Sequence, residues 1–138
     1  KELQVDLPEV KVNKNRLEQV FVILFLNAIQ SMPQGGRLLV KAYTKELTEV
    51  GHGVGKRKED RFRPGETALV VEIEDTGPGI PEEILPKIFD PFFTTRRDLG
   101  GTGLGLSVVR SIMDMQEGTV RIANGLSGGV IATVMLSV

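Results

Sequence analysis

The chain has 138 residues, with 17 lysines and arginines against 18 aspartates and glutamates, one histidine and no cysteine. A chain of this length can bury a core without disulfides or metals, and we interpret residues 1–138 as a single domain. The balanced charge excludes the basic surface that nucleic acids or an anionic membrane would require. The lack of cysteine excludes a thiolate metal site and a cysteine nucleophile.

The longest unbroken apolar run, from Val20 to Leu26, has seven residues, whereas a membrane-spanning helix needs about 20. No signal peptide is visible in the sequence. We therefore expect a cytoplasmic domain that makes no direct contact with a membrane. The chain begins with Lys1 rather than methionine, and we expect it to be a piece of a longer protein.

Polarity patterns and turn residues divide the chain into strands and helices. We predict a strand at 2–6, a helix capped by Asn13 or Asn15 and ending near Met32, strands at 37–44 and 67–74, helices at 81–89 and 104–115, and a closing hairpin of 118–123 with 130–138. The polar stretch 46–66 is expected to be an exposed excursion. Strands grouped beside helices predict an α+β fold, a two-layer α/β sandwich with a mixed sheet and helices on one face.

The first predicted helix is apolar on two sides. The face expected to lie on the sheet gathers Leu17, Val20, Phe21, Leu24 and Ala28. The opposite side carries a second apolar set, namely Val22, Phe25, Leu26 and Ile29. This second set predicts burial under a neighbouring loop or helix, or alternatively a docking surface.

Asn27 lies beside the sheet-facing stripe of this helix. A buried amide there needs a partner, because leaving it unsatisfied costs about 1–3 kcal/mol. A hydrogen bond to nearby backbone is one interpretation. The other is an oxygen ligand for Mg²⁺, an ion that takes few protein ligands and completes its shell with water and phosphate.

Asp75 follows a strand of the buried type and begins the sequence DTGPGI at 75–80. A tight turn explains this pattern by itself, because aspartate starts turns and glycine tolerates positive φ. The functional interpretation is a carboxylate at the floor of a pocket that accepts a hydrogen bond from the exocyclic amine of adenine. Guanine has a carbonyl oxygen at that position, and the mismatch would cost about 1–3 kcal/mol.

A second glycine cluster, GGTGLG at 100–105, opens the last predicted helix. Backbone N–H groups at a helix N-terminus bind anions, and glycines allow a phosphate to approach closely. A flexible hinge is the alternative, since neither the P-loop spacing nor the dinucleotide-binding spacing is present. The preceding sequence FDPFFTTR, at 89–96, supplies the polar and cationic groups of a mobile lid over phosphates.

These four pieces occur in an order that resembles the ATP-binding catalytic domain of bacterial sensor histidine kinases, in the superfamily shared with DNA gyrase and MutL. The pieces are the asparagine-bearing helix, DTGPGI, FDPFFTTR and GGTGLGLS, which cover residues 13–36 and 75–107. Each motif by itself is weak, whereas four in this order and at this spacing are specific. The resemblance implies an α+β sandwich with a mobile ATP lid.

The resemblance also implies roles for individual residues. Asn27 would bind Mg²⁺, Asp75 would recognise adenine, and Arg96 would be the catalytic cation that neutralises charge on the transferred phosphoryl group. The remaining contacts to the nucleotide would come from Gln30, Gly77, Gly79, Ile80, Thr94, Thr95, Gly101, Gly103, Leu104 and Gly105.

The implied function is to bind Mg-ATP and to transfer its γ-phosphoryl group to a histidine on a separate helical dimerisation segment of the same kinase. This reaction belongs to two-component signalling, with a response-regulator receiver downstream. The phosphoacceptor segment is not in this chain, and His52 falls in the polar excursion. We therefore expect the chain to bind ATP without phosphorylating itself.

Two residues depart from the family's pattern. Ile23 stands one turn before Asn27, where gyrase relatives carry a glutamate base and many histidine kinases a second asparagine. Ile23 cannot take a proton, and the loss of a general base typically costs about 10²–10⁴-fold, so efficient hydrolysis of ATP is not expected. Val130 stands where relatives often have threonine. An ATP-binding regulatory module without transferase activity, a gyrase-type ATPase and a serine kinase remain as alternatives.

Overall fold

A computed structural model shows the fold. It describes residues 2–3, 13–46, 65, 67–90, 105–126 and 128–137. Most of the predicted excursion and the predicted lid, at 47–64 and 91–104, lie outside the described residues.

Five strands form one mixed sheet. They are β1 (Glu2–Leu3), β2 (Leu38–Glu46), β3 (Thr67–Asp75), β4 (Thr119–Asn124) and β5 (Val130–Ser137), in the spatial order β1-β2-β3-β5-β4. The β1–β2 pair is parallel and the other three pairs are antiparallel. The register places Leu38 beside Asp75 and Val130 beside Asn124. The ends of β3 and β4 and the starts of β2 and β5 therefore share one end of the sheet.

Two helices, α1 (Lys14–Gln30) and α2 (Gly105–Met115), pack on one face of this sheet. Their buried side chains form a single cluster with those of the sheet, comprising Val20, Leu24, Ala28, Ile73, Val109, Ile112, Met113, Ala132, Val134 and Leu136. Leu17 and Phe21 pack against the same cluster. The predicted α+β sandwich and the predicted sheet-facing stripe of α1 are confirmed. Neither described helix is long and apolar enough to cross a membrane.

The first residue of α1 is fixed by a side-chain cap. Asn13, not Asn15, is the N-cap, and its side-chain oxygen accepts a hydrogen bond from the N–H of Arg16 at 3.1 Å. Such a cap satisfies one of the N–H groups that a helix leaves without a partner at its start. The backbone N–H of Asn13 also donates to the side chain of Gln116 at 3.1 Å. This contact ties the start of α1 to the end of α2.

The second apolar side of α1 is only partly covered. Phe25 packs against the core, and the centroid of its ring lies 6.5 Å from that of Phe21. Val22, Leu26 and Ile29 are 54%, 49% and 54% exposed. The expectation that this whole side is buried is therefore wrong. The reason is that α2 and the sheet lie against the other side of α1, and no described element covers these three side chains.

The predicted helix at 81–89 is also wrong. The segment contains one 3-10 turn, Leu85–Lys87, within a run of turns. Pro81 can begin a helical turn, and its carbonyl accepts from the N–H of Ile84 at 2.9 Å. Pro86 has no N–H for the next helical hydrogen bond, so an α-helix cannot continue through this position.

The outer face of the sheet carries a second, smaller cluster. Ala68 and Val70 are buried there, with Tyr43 and Met135 packed against them. The Tyr43 hydroxyl donates a hydrogen bond to the carboxylate of Glu72. Burial and this carboxylate raise the pKa of Tyr43 to about 12. Tyr43 is therefore neutral throughout the ordinary pH range.

Candidate functional site

A cavity of about 290 Å³ opens where the end of α1 meets the shared end of the sheet. Its walls come from α1, the loop after β3, the first turn of α2 and strands β3, β4 and β5. The lining residues are Leu24, Asn27, Ala28, Gln30, Ser31, Ile73, Asp75, Pro78, Gly79, Ile80, Pro81, Leu106, Ile122, Val130 and Ala132. Most of these are apolar, with a few polar side chains among them, which is typical of a pocket for a small organic ligand.

Asp75 is the buried acid of this cavity. It is the last residue of β3 and only 5% exposed. Its Oδ1 accepts from the N–H of Gly77 at 2.9 Å and from the N–H of Val130 at 3.2 Å. Buried polar groups are costly unless they are hydrogen-bonded, and these two donors fix the carboxylate on its own turn and on β5. The side chain thus has one defined orientation in the lining of the cavity.

Glycine at 129 is required for this arrangement. A Cβ added at Gly129 would overlap the backbone carbonyl of Asp75. The start of β5 therefore lies directly against the end of β3, which is what allows the N–H of Val130 to reach the carboxylate. The side chain of Val130 takes no part in that hydrogen bond. The absence of threonine at this position leaves the contact to Asp75 intact.

The end of α1 is joined to the turn after Asp75. A Cβ at Gly77 would come within 2.9 Å of Ser31 Oγ, so this glycine allows the turn to lie against the helix end. Met32 Sδ accepts from the N–H of Thr76 at 3.4 Å, and Thr76 Oγ1 in turn accepts from the N–H of Arg37 at 2.9 Å. These contacts join the segment that follows α1 to the turn that follows β3.

The far wall is held by Asn124, the last residue of β4. Its Oδ1 accepts from the N–H of Ile80 at 2.7 Å, and its Nδ2 donates to the carbonyl of Ile80 at 2.6 Å. Gly79 has φ +83, and a Cβ there would lie 2.6 Å from the carbonyl oxygen of Gly128. The loop that carries Pro78, Gly79 and Ile80 is thus fixed against the β4–β5 hairpin.

Two amide side chains, Asn27 and Gln30, stand where α1 borders the cavity. Asn27 is half-buried and Gln30 is exposed. The described residues contain no group of three or more histidine, cysteine or acidic side chains that could hold a metal ion. Mg²⁺ takes few protein ligands and completes its shell with water and phosphate. Of the described lining residues, Asn27 is the one predicted to offer it an amide oxygen.

Ile23 packs against the core on the side of α1 that faces α2. Its Cγ2 lies 3.2 Å from the position that a Cβ would take at Gly105, the first residue of α2. This position, one turn before Asn27, therefore serves the contact between the two helices. It carries no group that can accept a proton.

The predicted site residues fall into three groups. Five of them line the cavity described above, namely Asn27, Gln30, Asp75, Gly79 and Ile80. Gly77 and Gly105 do not line it, since the first donates its N–H to Asp75 and the second lies against Ile23. The rest of the prediction, Thr94, Thr95, Arg96, Gly101, Gly103 and Leu104, lies outside the described residues.

Sequence reasoning missed the contribution of the β4–β5 hairpin. The predicted hairpin of 118–123 with 130–138 left Asn124 in the connecting turn, and Val130 was noted only as a departure from the family's pattern. In the structure, Asn124 holds Ile80, and Val130 donates its N–H to Asp75. One signal was available. Asparagine is uncommon in strands, and an asparagine at a strand end beside glycines is a candidate for side-chain hydrogen bonds to backbone.

The chain matches the family of histidine kinase-, DNA gyrase B- and HSP90-like ATPases over residues 12–138, and it belongs to that family. It is 36% identical to the sensor kinase CckA of Brucella abortus over 131 residues, which are 95% of this chain and 13% of that protein. It is 37% identical to the sensory histidine kinase/phosphatase NtrB of Klebsiella oxytoca over 116 residues, which are 83% of this chain and 30% of that protein.

The fold is shared with the catalytic domain of the histidine kinase ThkA. The TM-score is 0.72 at 29% identity, and the match covers 99% of this chain and 76% of that one. The resemblance to the ATP-binding catalytic domain of sensor histidine kinases is therefore confirmed. The chain spans between 13% and 30% of the length of the two curated relatives above.

Proposed function

We propose that this chain binds ATP with Mg²⁺ in the cavity at the end of α1 and donates the γ-phosphoryl group to a histidine on a separate helical segment. The observation that carries the proposal is the buried Asp75 carboxylate in the lining of a largely apolar cavity. Family membership supports the same substrate. In a two-component system the phosphohistidine would then supply a response-regulator receiver.

Adenine fits the base end of the cavity for two reasons. Its flat faces suit the apolar walls contributed by Ile80, Ile122 and Ala132. Its exocyclic amine is a donor, and the Asp75 carboxylate is an acceptor whose Oδ1 is already fixed by two backbone N–H groups. We assign the other oxygen, Oδ2, to the adenine amine.

The triphosphate is assigned to the α1 side of the cavity, where the polar side chains of Asn27 and Gln30 stand. Mg²⁺, when bound through Asn27, would neutralise negative charge on the phosphates. Gln30 would donate hydrogen bonds from its amide to phosphate oxygens. We propose Thr94, Thr95 and Arg96 as further contacts to the phosphates, and Gly101, Gly103, Leu104 and Gly105 as the glycine-rich segment beside them.

Transfer to histidine is favoured over hydrolysis by the apolar residue at 23. Ile23 packs between the helices and cannot activate a water molecule. An imidazole needs less help from a general base than water does, since its nitrogen is itself the nucleophile. That nitrogen would attack the γ-phosphorus, the bond from phosphorus to the bridging oxygen would break, ADP would leave, and the imidazole proton would pass to solvent. Positioning and charge neutralisation supply most of the catalysis in such transfers.

The test supplies a histidine-bearing helical dimerisation segment of a sensor kinase as a separate chain, together with γ-labelled ATP and Mg²⁺. We expect label on the segment that is lost in acid and retained in alkali, as phosphohistidine is. The matched control is the same segment with its histidine replaced by glutamine, which should take up no label. The chain incubated with labelled ATP by itself should also remain unlabelled.

The other outcomes each identify a different function. Tight ATP binding without any transfer would make the chain a nucleotide-dependent regulatory module. Steady release of phosphate by the isolated chain would indicate an ATPase of the gyrase type. Acid-stable label on the partner segment would indicate a serine kinase.

A further inference from the structure

Asn124 holds one backbone residue by both of its polar groups. Its side-chain oxygen accepts from the N–H of Ile80 at 2.7 Å, and its side-chain nitrogen donates to the carbonyl of Ile80 at 2.6 Å. The two residues are 44 positions apart in the sequence. Because the two bonds lie on the two peptide groups that flank Ile80, together they fix the orientation of both.

The loop that Asn124 holds has a glycine on each side of Pro78, and only the proline restricts its own φ. Residues 77–80 read Gly-Pro-Gly-Ile, and Gly79 has φ +83, a conformation open mainly to glycine. Glycine also has the largest freedom to lose when a chain becomes ordered. Ile80 and Gly79 line the cavity. Because the two glycines leave this wall much backbone freedom, a contact from outside the loop restrains it further.

Asn124 and the Asp75 contact belong to the same structural unit. Asn124 is paired with Val130 in the register of β4 with β5. The N–H of Val130 donates to Asp75 Oδ1 at 3.2 Å. The end of this hairpin therefore sets the distance between the wall at Ile80 and the acceptor at Asp75. Asn124 itself is not among the lining residues of the cavity.

We propose, on the basis of the ATP site proposed above, that Asn124 is a positioning residue that sets the purine selectivity of the site. It acts through Ile80 and does not touch the nucleotide. With the wall fixed, the base is held in the one plane in which its exocyclic group meets Asp75. With the wall released, a purine can tilt or shift, and the distinction between an amine and a carbonyl at that position is weakened.

The experiment measures dissociation constants for ATP, GTP and inorganic tripolyphosphate, each with Mg²⁺, by competition with a fluorescent ATP analogue. Two well-placed hydrogen bonds of ordinary strength correspond to about a 5- to 30-fold change. Asn124→Ala is expected to weaken the binding of ATP by about that factor and to lower the preference for ATP over GTP. Tripolyphosphate, which has no base, should bind as it does to the unaltered chain.

Asn124→Asp tests the same point with a side chain of the same shape. The carboxylate can still accept from the N–H of Ile80, but it places an oxygen against the Ile80 carbonyl where a donor stood. The preference for ATP should fall again. Because Asn124 is exposed, neither substitution leaves a buried polar group without a partner, and both variants are expected to fold.

The matched control is Asn13→Ala. It removes another bond between an asparagine side chain and backbone, the 3.1 Å cap on Arg16, at the opposite end of the 17-residue helix α1 from the cavity. It should lower the melting temperature and leave the ATP-to-GTP ratio unchanged.

Two results would overturn the role of Asn124. One is an unchanged ATP-to-GTP ratio in both Asn124 variants while the unaltered chain binds ATP. The other is an equal loss for tripolyphosphate and ATP, which would make Asn124 a purely structural residue. An unaltered chain that binds no ATP would instead overturn the nucleotide site, and the role of Asn124 with it.

Discussion

The two ends of the cavity are built in different ways. At the base end, each functional group is held by a hydrogen bond from another strand: Asp75 by the backbone N–H of Val130, and Ile80 by the side chain of Asn124. At the helix end, the polar side chains of Asn27 and Gln30 project from the last turns of α1. The base end is thus a rigid contact among β3, the loop after it, β4 and β5. The helix end is a pair of side chains on one helix.

This difference separates two kinds of binding. A site that must distinguish an amine from a carbonyl needs groups fixed to a fraction of an ångström, which strand ends and backbone donors provide. A site for a metal-bound triphosphate needs charge neutralisation and can tolerate flexible side chains. Substitutions at the base end should therefore change the ratio of ATP to GTP affinity. Substitutions at the helix end should change both affinities by the same factor.

Gly129→Ala is expected to have the largest effect. The new Cβ would overlap the backbone carbonyl of Asp75, so β3 and β5 must separate at the site. Overpacking of this kind costs about 1–3 kcal/mol, and we expect the upper part of that range together with a loss of ATP binding by more than about 100-fold. Thermal unfolding and calorimetry would measure the two effects.

Gly128→Ala is the control for that substitution. Gly128 has φ +111, but a Cβ there meets nothing within 4 Å. The strain of positive φ should lower stability by about 1 kcal/mol while ATP is still bound in preference to GTP. If Gly129→Ala were no worse than Gly128→Ala, the close approach of β5 to Asp75 would not be what builds the base end.

Asp75→Asn should change selectivity more sharply than any other substitution. The N–H groups of Gly77 and Val130 require an oxygen at the Oδ1 position, so the new amide nitrogen must take the place of Oδ2. It would then face the adenine amine, donor against donor, and ATP should bind about 5- to 150-fold more weakly. GTP should bind as well as before or better. Calorimetry that shows equal losses for ATP and GTP would remove Asp75 from the base site.

The fold and the helix end were largely predictable, because they depend on local patterns. The apolar period of α1 fixes which face lies on the sheet, and this places Asn27 beside the core. At the base end, Asp75, Gly79 and Ile80 were predictable as a strand end followed by a glycine-bearing turn, whereas the contacts that hold them were not. The contacts that hold the base end join Ile80 to Asn124, 44 positions apart, and Asp75 to Val130, 55 positions apart. Both contacts depend on the register of β4 and β5. That register is set by the packing of the whole sheet.

Asn27→Ala tests the helix end. It removes the amide oxygen proposed for Mg²⁺, and we expect ATP to bind about tenfold more weakly when Mg²⁺ is present. With a chelator in place of Mg²⁺, the variant and the unaltered chain should bind ATP alike. The affinity for GTP should fall by the same factor as the affinity for ATP. Asn27→Asp, which keeps an oxygen ligand, should retain the dependence on Mg²⁺; if Asn27→Ala retains it as well, Asn27 is a structural residue.

Gln30→Ala should have the smallest effect and is the finest test of the division between the two ends. Gln30 is exposed, so a hydrogen bond from it to phosphate competes with water, and its loss should weaken ATP and GTP alike by about 2- to 5-fold. Alanine is the better helix former, so stability should not fall and unfolding cannot account for the loss. Gln30→Glu, which adds a negative charge beside the phosphates, should weaken both nucleotides further. A change confined to ATP in either variant would place Gln30 beside the base, and the helix end would then contribute to selectivity as well.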